Sequence, residues 1–427
     1  MASRRLDSAP VTDPVRLEVD GDYVQAQRGE PVAIALAAAG RIVFGRSVKY
    51  HRPRGPTCFQ GRCDGCLMRV DGVPSVMTCR LPAADGMVVE TQNVVGSARR
   101  DLLAATDWFF PSGMNHHEMF TWNAALNAVM KKIARRVAGV GELPDEVRAP
   151  SPILQHEVDV VVIGAGPAGL VAAENAANEG SRVFVLEEAP QAGGHLRYWP
   201  GDLPTSDGAV GAQALAETLR QRAEDAGAKL MLNTAAVGAY DPHEDVDGTD
   251  GPAPGHRSRP AVILADAPDG AHRISARRVV IATGRQRSPL AFPNSDRPGV
   301  FQLEGACALL ACGVLPGNRV LIAGEHPAVS PLGEALREAG AEVECVAADA
   351  VLEASGRPEL ERCVVRDGES TRTVACDALV MAGPSSSAYE LAAQLGVPAR
   401  FDTTGFELGA PPPDVEVVGW ARDGDLG

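Results

Sequence analysis

The sequence predicts an α/β protein in two parts: a small β-grasp domain, then a Rossmann-like fold built from two units. Three observations predict it. Four cysteines, Cys58, Cys63, Cys66 and Cys79, are spaced C-x4-C-x2-C-x12-C. The turn Gly164-Ala-Gly166-Pro-Ala-Gly169 stands between an apolar strand pattern and a helix pattern. A second strand–helix–strand pattern follows over 319–347.

Composition bounds the function classes. The 427 residues are 45% hydrophobic, enough for several packed cores, and carry a net charge of −15. So acidic a chain is a poor partner for nucleic acid or an anionic membrane surface. The opening MASRRLDSAPVTDP has no apolar run behind its arginines, so no targeting leader is expected. Apolar stretches such as Val160–Ile163 and Val279–Ala282 are strand-length, far short of the ~20 residues that span a bilayer. A cytoplasmic protein is expected, with four of its nine cysteines on a metal and the others as buried thiols.

Along the chain, residues 1–13 are expected to be a disordered arm. Residues 14–27 alternate and turn at Asp20-Gly21, as a β-hairpin does, and 31–40 form a short apolar helix ending at Gly40. After the cysteine loop come a strand-turn-strand around Asp71-Gly72 and a strand at 87–91. Hairpin, helix, cysteine loop and hairpin place a ferredoxin-like domain at 14–100. A helical segment and linker follow over 101–157. Trp108, Phe109, Phe110, Phe120 and Trp122 gather there in a chain only 4% aromatic, and 121–138 read as a basic amphipathic helix suited to packing between domains or against a partner. The Pro-rich stretch 143–157 reads as linker. Residues 158–300 and 384–427 are assigned to a dinucleotide-binding domain of FAD/NAD type, with a flexible acidic loop at 243–259. Residues 301–383 are assigned to a second, inserted unit.

The cysteine spacing points to a 2Fe–2S cluster held by Cys58, Cys63, Cys66 and Cys79. Four thiolates must converge on two irons, three of them from one tight loop. Gly61 and Gly65 sit where Cβ atoms would crowd that loop, and the Asp71-Gly72 hairpin returns the chain to present Cys79. Zinc would favour paired C-x2-C knuckles or histidines, and one such knuckle is present. Cys307, Cys312, Cys345, Cys363 and Cys376 have no ligand spacing.

The glycine turn has the parts of a nucleotide site. Gly164 makes the tight turn, Gly166 admits a pyrophosphate, and Gly169 permits close helix–strand packing. Pro167 and Ala168 open the helix, whose free N–H groups and dipole suit phosphate. Glu187 ends the second strand, 18 residues after Gly169, where a carboxylate would accept from ribose hydroxyls. Gly194 follows in a Gly-Gly pair, and VVIATG (279–284) ends in Thr283 and Gly284 as related flavin folds do. The second unit keeps only Gly324 of its turn, GEHPAV, so an NAD(P)H site there is doubtful. No cysteine pair follows Gly194, where disulfide reductases of this fold carry theirs. Gly419-Trp420 stands where FAD folds usually have Gly-Asp, which favours another adenine nucleotide.

GRSVKYHRPRG (45–55), FFPSG (109–113), GAGPAGL (164–170), PGVFQLEGA (298–306) and LVMAGPSSSAYELAAQLGVPARFD (379–402) occur in this order. Through them the chain resembles the α-subunit family of heterotetrameric sarcosine oxidase, over most of residues 15–425. It has cluster cysteines, which that subunit generally lacks, and no counterpart of its large folate-binding domain is expected within these 427 residues. In both respects it is more similar to iron–sulfur-bearing relatives: opine, hydroxyproline and proline dehydrogenases and hydrogen cyanide synthase. The resemblance implies an electron-transfer subunit in a hetero-oligomer. A β-type flavoprotein partner would oxidise an amine C–N bond on FAD, FMN would sit between subunits, and electrons would leave through the cluster. It also implies FAD, NAD or ATP in the 164–169 site without choosing among them. No substrate base stands out, so no catalytic residue is assigned to this chain. A stand-alone NAD(P)H-dependent flavin/iron–sulfur reductase and a non-catalytic scaffold with a structural nucleotide remain alternatives. The basic run Arg46, Lys49, His51, Arg52 and Arg54 reads either as a solvated flank or as a seat for a phosphate or an acidic partner.

Overall fold

The computed structural model describes residues 3–47, 52–94, 97–99, 122–137, 151–205, 208–240, 260–403 and 405–423. The chain forms two compact units, Met1–Val147 with Pro289–Gly383, and Arg148–Ser288 with Pro384–Gly427.

In the first unit, β1 (Pro14–Val19) and β2 (Asp22–Gln27) form an antiparallel hairpin. Asp20 and Gly21 both take positive φ, the two-residue turn whose twist matches its strands. Helix α1 (Val32–Ala38) is apolar on every side and accordingly buried at every residue. Strands β3 (Leu67–Val70) and β4 (Val73–Met77) turn at Asp71-Gly72 in the same way, and β5 (Val88–Glu90) closes the sheet. The order is β2-β1-β5-β3-β4, with β1 and β5 parallel at its centre. Leu17, Val24, Met68, Val70 and Val89 point from alternate strand positions into a core shared with Ile34 and Leu36. Burying each large side chain contributes about 1.5–3 kcal/mol.

The arm expected to be disordered is paired from its third residue. Arg4 N–H donates to Ala38 O, Leu6 N–H to Gly313 O and Leu315 N–H to Arg4 O, while Arg5 forks onto Glu30 at 2.7 and 2.8 Å. Backbone pairing of this kind leaves no hydrophobic period in a sequence. Helix α2 (Ala124–Val137) lies within the stretch predicted as helix, and Asn123 Oδ1 accepts from the N–H groups of Ala125 and Leu126 at its start. Trp122, Leu126 and Val129 are exposed along it. Residues 101–121 and 138–150, with their aromatic cluster, lie outside the described residues.

The second unit opens with β6 (Ile153–Ile163), α3 (Pro167–Asn178), β7 (Val183–Leu186), α4 (Ala212–Asp225), β8 (Lys229–Met231), β9 (Ala235–Tyr240), β10 (Ala261–Ala267) and β11 (Gly270–Ile281). Strand β6 starts before the expected 158, because Ile153–Glu157 pair with Ala271–Ser275 of β11. The sheet order is β8-β7-β6-β11-β10-β9. The expected acidic loop at 243–259 lies outside the described residues.

The chain re-enters the first unit at Pro289, earlier than the expected 301. There β12 (Val300–Gln302), α5 (Leu303–Ala311), β13 (Arg319–Gly324), α6 (Val329–Glu338) and β14 (Glu342–Val346) are followed by the antiparallel strands β15 (Val351–Ser355), β16 (Arg362–Asp367) and β17 (Ser370–Ala375), then β18 (Ala378–Ala382). Strands β12-β18-β13-β14 form a four-stranded parallel sheet. Back in the second unit, β19 (Val415–Val417) joins the C-terminal half of β11 and leads into α7 (Trp420–Asp423). Among the described residues no helix is long and apolar enough to cross a membrane.

Candidate functional site

The structure brings the four predicted cluster cysteines together. Cys58 and Cys63 Sγ atoms lie 3.4 Å apart, and so do those of Cys66 and Cys79. Cys58, Cys66 and Cys79 are buried, and Cys63 is half-buried. The loop is shaped by Phe59 and Gly61, both at positive φ. A Cβ on Gly65 would overlap the Gly55 carbonyl oxygen. Thr78 pins the separate element that carries Cys79: its hydroxyl donates 2.6 Å to Cys66 O. Three loop amides aim at sulfur, Gln60 and Arg62 at Cys58 and Gly61 at Cys79, over 3.2–3.4 Å.

Electrostatics within each pair follow from the contact between its two thiols. The hydrogen bond to its neighbour, then burial, pushes Cys58 and Cys79 up, while the same bond draws Cys63 and Cys66 down. Two buried dithiol pairs with amides aimed at them are the donor set two bridged irons require. The residues therefore fit a 2Fe–2S cluster.

The nucleotide turn is assembled at the end of β6. Gly164 has φ +103, and Cβ atoms on Gly164 and Gly169 would overlap backbone oxygens of Ala282 and Gly164. Gly166 caps α3, with Pro167 at its first position and Ala168 next. Glu187 lies beside the turn, one carboxylate oxygen accepting from Ala165 N–H at 2.9 Å, the other from Ala189 N–H at 2.8 Å. Burial raises its carboxyl above the usual range against the pull of those two amides. Each oxygen keeps a second lone pair for a ribose hydroxyl. Gly194, at φ +54, packs against Gly166. The Thr283 hydroxyl, by contrast, donates to Ala388 O, whose own N–H donates to Gly284 O, so this turn is tied to the chain's return segment.

Two matches cover most of this architecture. Residues 12–94 match the 2Fe-2S iron-sulfur cluster binding domain, and residues 158–352 match the pyridine nucleotide-disulphide oxidoreductase family. The alpha subunit of sarcosine oxidase from Rhizobium meliloti (strain 1021) is 30% identical over 428 residues, covering 93% of this chain. The chain is similar to sarcosine oxidase α subunits over most of its own length. It spans 42% of that relative's length, and 36% of the Corynebacterium sp. (strain P-1) counterpart, which is 27% identical over 90% of this chain. An opine oxidase subunit from the same Rhizobium strain is 35% identical over 40% of this chain and 34% of its own length. L-proline dehydrogenase from P. horikoshii has the same fold, with a TM-score of 0.73 over 98% of this chain and 71% of that one, at 21% identity.

In this chain the turn of the second nucleotide-fold unit has one amide already engaged. The Ala328 N–H, just ahead of α6, donates to His326 Nδ1 at 3.1 Å. The basic run is likewise engaged within the chain. Arg46 donates to Ala98 O, while Arg52 and Arg54 grip Asp296 at 2.6–3.0 Å. Against the burial that opposes them, these arginines hold the Asp296 carboxyl below the usual range. Arg52 and Arg54 are therefore paired within the chain while staying partly open to solvent, and Lys49 and His51 lie outside the described residues.

Three further constellations escaped sequence reasoning. Trp420 stacks on His195 beside the phosphate turn. Cys363 and Cys376 meet at 3.6 Å in the core under β16 and β17. Asp269, His272 and His156 form a chain of 3.0 Å contacts across β6 and β11. None has a recurring local spacing; strand register alone would have brought the last two sets together.

Proposed function

We propose that this chain is the electron-transfer subunit of a heteromeric flavoprotein oxidase or dehydrogenase acting on an amine C–N bond, of sarcosine or opine type. The observation that carries it is the pairing of Cys58 with Cys63 and Cys66 with Cys79. The chain's likeness to the alpha subunit of sarcosine oxidase over 93% of its length supports the substrate class. When bound, a 2Fe–2S cluster supplies a one-electron relay.

The chain's own residues do the rest. The four cysteines provide thiolates, the amides of Gln60, Gly61 and Arg62 offset their negative charge, and burial of Cys66 and Cys79 excludes water. Gly164–Gly169 offer the N-terminus of α3 to the phosphates of an FAD, NAD or ATP molecule, and Glu187 orients its ribose. A flavin on a β-type partner would take hydride from the amine carbon, leaving an imine, and the cluster that Cys58, Cys63, Cys66 and Cys79 would hold would supply a path for those two electrons one at a time.

The test is the complex purified with its partner, beside a Cys63→Ser variant. The variant complex is expected to bleach its partner flavin on adding amine while losing output to a one-electron acceptor. Wild-type output from the variant, or full amine oxidation by this chain alone, would sink the proposal.

A further inference from the structure

The segment running into β12 and α5 lies along the strand of chain that leads into the cluster loop, contact after contact. Asp296 holds Arg52 and Arg54. A Cβ on Gly55 would stand 3.2 Å from Pro298 Cβ. The fully buried ring of Phe301 meets Phe59, centroids 6.1 Å apart. Gln302 N–H donates 2.9 Å to Thr57 O. Gly305, in the first turn of α5, is pressed so close that a Cβ would overlap that same Thr57 oxygen and stand 3.2 Å from the Cys58 carbonyl carbon. Phe59 is held at φ +51, a conformation that costs a non-glycine residue free energy and persists only where its surroundings impose it. That conformation is what turns the Gln60 and Arg62 amides back onto Cys58 Sγ.

We propose that Gln302 and Gly305 are positioning residues for the iron–sulfur site, and that the second nucleotide-fold unit serves as the clamp holding Thr57–Phe59 closed over it. One amide of the unit's own turn is taken by His326, while contact with the cluster loop uses its first strand and helix. This rests on the cluster reading above. Reduction adds negative charge, which water stabilises and burial does not, so exclusion of water at Cys58, 1% exposed, keeps the potential low. A methyl group at 305 would push Thr57 and Cys58 away from α5. The two N–H···S bonds onto Cys58 lie within residues 58–62 and travel with the loop, so the change at that sulfur is entry of water and the potential rises.

The experiment compares the full-length wild type with Gly305→Ala, Asp296→Ala and Gly333→Ala, all purified anaerobically. Readouts are iron content, the electron paramagnetic resonance spectrum of the reduced cluster and its midpoint potential. Gly333 lies in α6 of the same unit, where a Cβ meets only the flexible Arg337 guanidinium at 3.4 Å and other side chains beyond 3.7 Å, so its variant should match wild type. Gly305→Ala is expected to keep its iron, change the spectral line shape and shift the oxidised-to-reduced ratio about tenfold towards reduced. That is ~59 mV upward for a one-electron couple. Should Gly305→Ala fail to fold, Asp296→Ala decides: it frees residues 52–54 at the surface and should shift the potential the same way, by a smaller amount. Wild-type spectra and potentials in both variants overturn the clamp. A wild-type chain that holds no iron overturns the cluster reading itself, and the clamp with it.

Discussion

The indole of Trp420 lies against the imidazole of His195, ring centroids 4.0 Å apart and planes 18° from parallel. Each ring follows a glycine that touches the phosphate turn. Gly194 packs on Gly166, and Gly419, at φ +63, is so close to Ala168 that a Cβ would stand 2.6 Å from that side chain. The stack therefore borders the place where a nucleotide's phosphates would end. An aromatic pair of this geometry contributes about 0.5–1.5 kcal/mol, a two- to tenfold effect on binding. Trp420→Ala should weaken adenine-nucleotide binding by that factor in calorimetric titration, and Trp420→Phe should keep the affinity. Unchanged affinity in Trp420→Ala would place the stack outside the site.

Gly166 and Gly169 should separate folding from binding. A Cβ on Gly166 meets nothing nearer than Gly194 Cα at 3.9 Å, whereas one on Gly169 overlaps the Gly164 oxygen and reaches 3.0 Å from Ala282 Cβ. Gly166→Ala should melt like the nucleotide-free wild type yet lose nucleotide affinity, because its methyl group points at the bound phosphates. Gly169→Ala should lose about 1–3 kcal/mol of stability from overpacking. Chemical denaturation with and without nucleotide checks both. Equal destabilisation by the two would contradict the division of roles.

The same glycines explain what was legible in the sequence. Gly164–Gly169, the two Asp-Gly turns and the Cys58–Cys79 spacing are local patterns, each fixed by backbone sterics within a few residues of itself. The structure forms the glycine turn and both Asp-Gly turns and brings the four cysteine sulfurs into two close pairs. What escaped was long-range. The arm at Arg4–Leu6 is held by backbone bonds to Ala38 and Gly313, which carry no side-chain signature. Strand β6 begins at Ile153 because β11 offers it a partner over a hundred residues away. Residues 298–306 stand out in the sequence only as the motif PGVFQLEGA, and nothing in them announces contact with 52–59.

Acid should weaken the second unit through His156. Its Nε2 lies 3.0 Å from His272 Nδ1, and His272 Nε2 lies 3.0 Å from Asp269 Oδ1. With Asp269 taking the Nε2 proton of His272, Nδ1 accepts from a neutral His156. Burial, then His272 and Lys229, lower the His156 pKa, against the opposing pull of Asp269. A histidine depressed in the folded state binds its proton more readily unfolded. Its stability contribution is therefore complete above the unfolded value of ~6.5 and is lost as pH falls below it. The melting temperature should drop between pH 7.5 and 5.5, and His156→Gln should flatten that part of the profile. An identical slope in the variant would remove His156 from the effect.

Cys363 and Cys376 should behave as one protected dithiol. Cys363 faces inward from β16, and Cys376 lies just beyond β17, diagonally across the pair, with 3.6 Å between the sulfurs. Both are at most 1% exposed, within the core of Leu321, Val365 and Leu379. The hydrogen bond between them, then burial, pushes Cys363 up, and the same bond draws Cys376 down. Cys345 is exposed on β14 and serves as the internal reference. A thiol reagent reaches the buried pair only when β17 opens, and β17 is an edge strand exposed at five of its six residues. A local opening free energy near ~3 kcal/mol would slow labelling about a hundredfold relative to Cys345. Time-resolved labelling mapped by peptide mass should therefore modify Cys345 first, with Cys363 and Cys376 appearing together and much later. Replacing Val374, the half-buried residue of β17 that faces Cys363, with Asp should bring both forward without changing Cys345, because it weakens the strand that covers them. Early labelling of one cysteine without the other would show that β17 does not open as a unit.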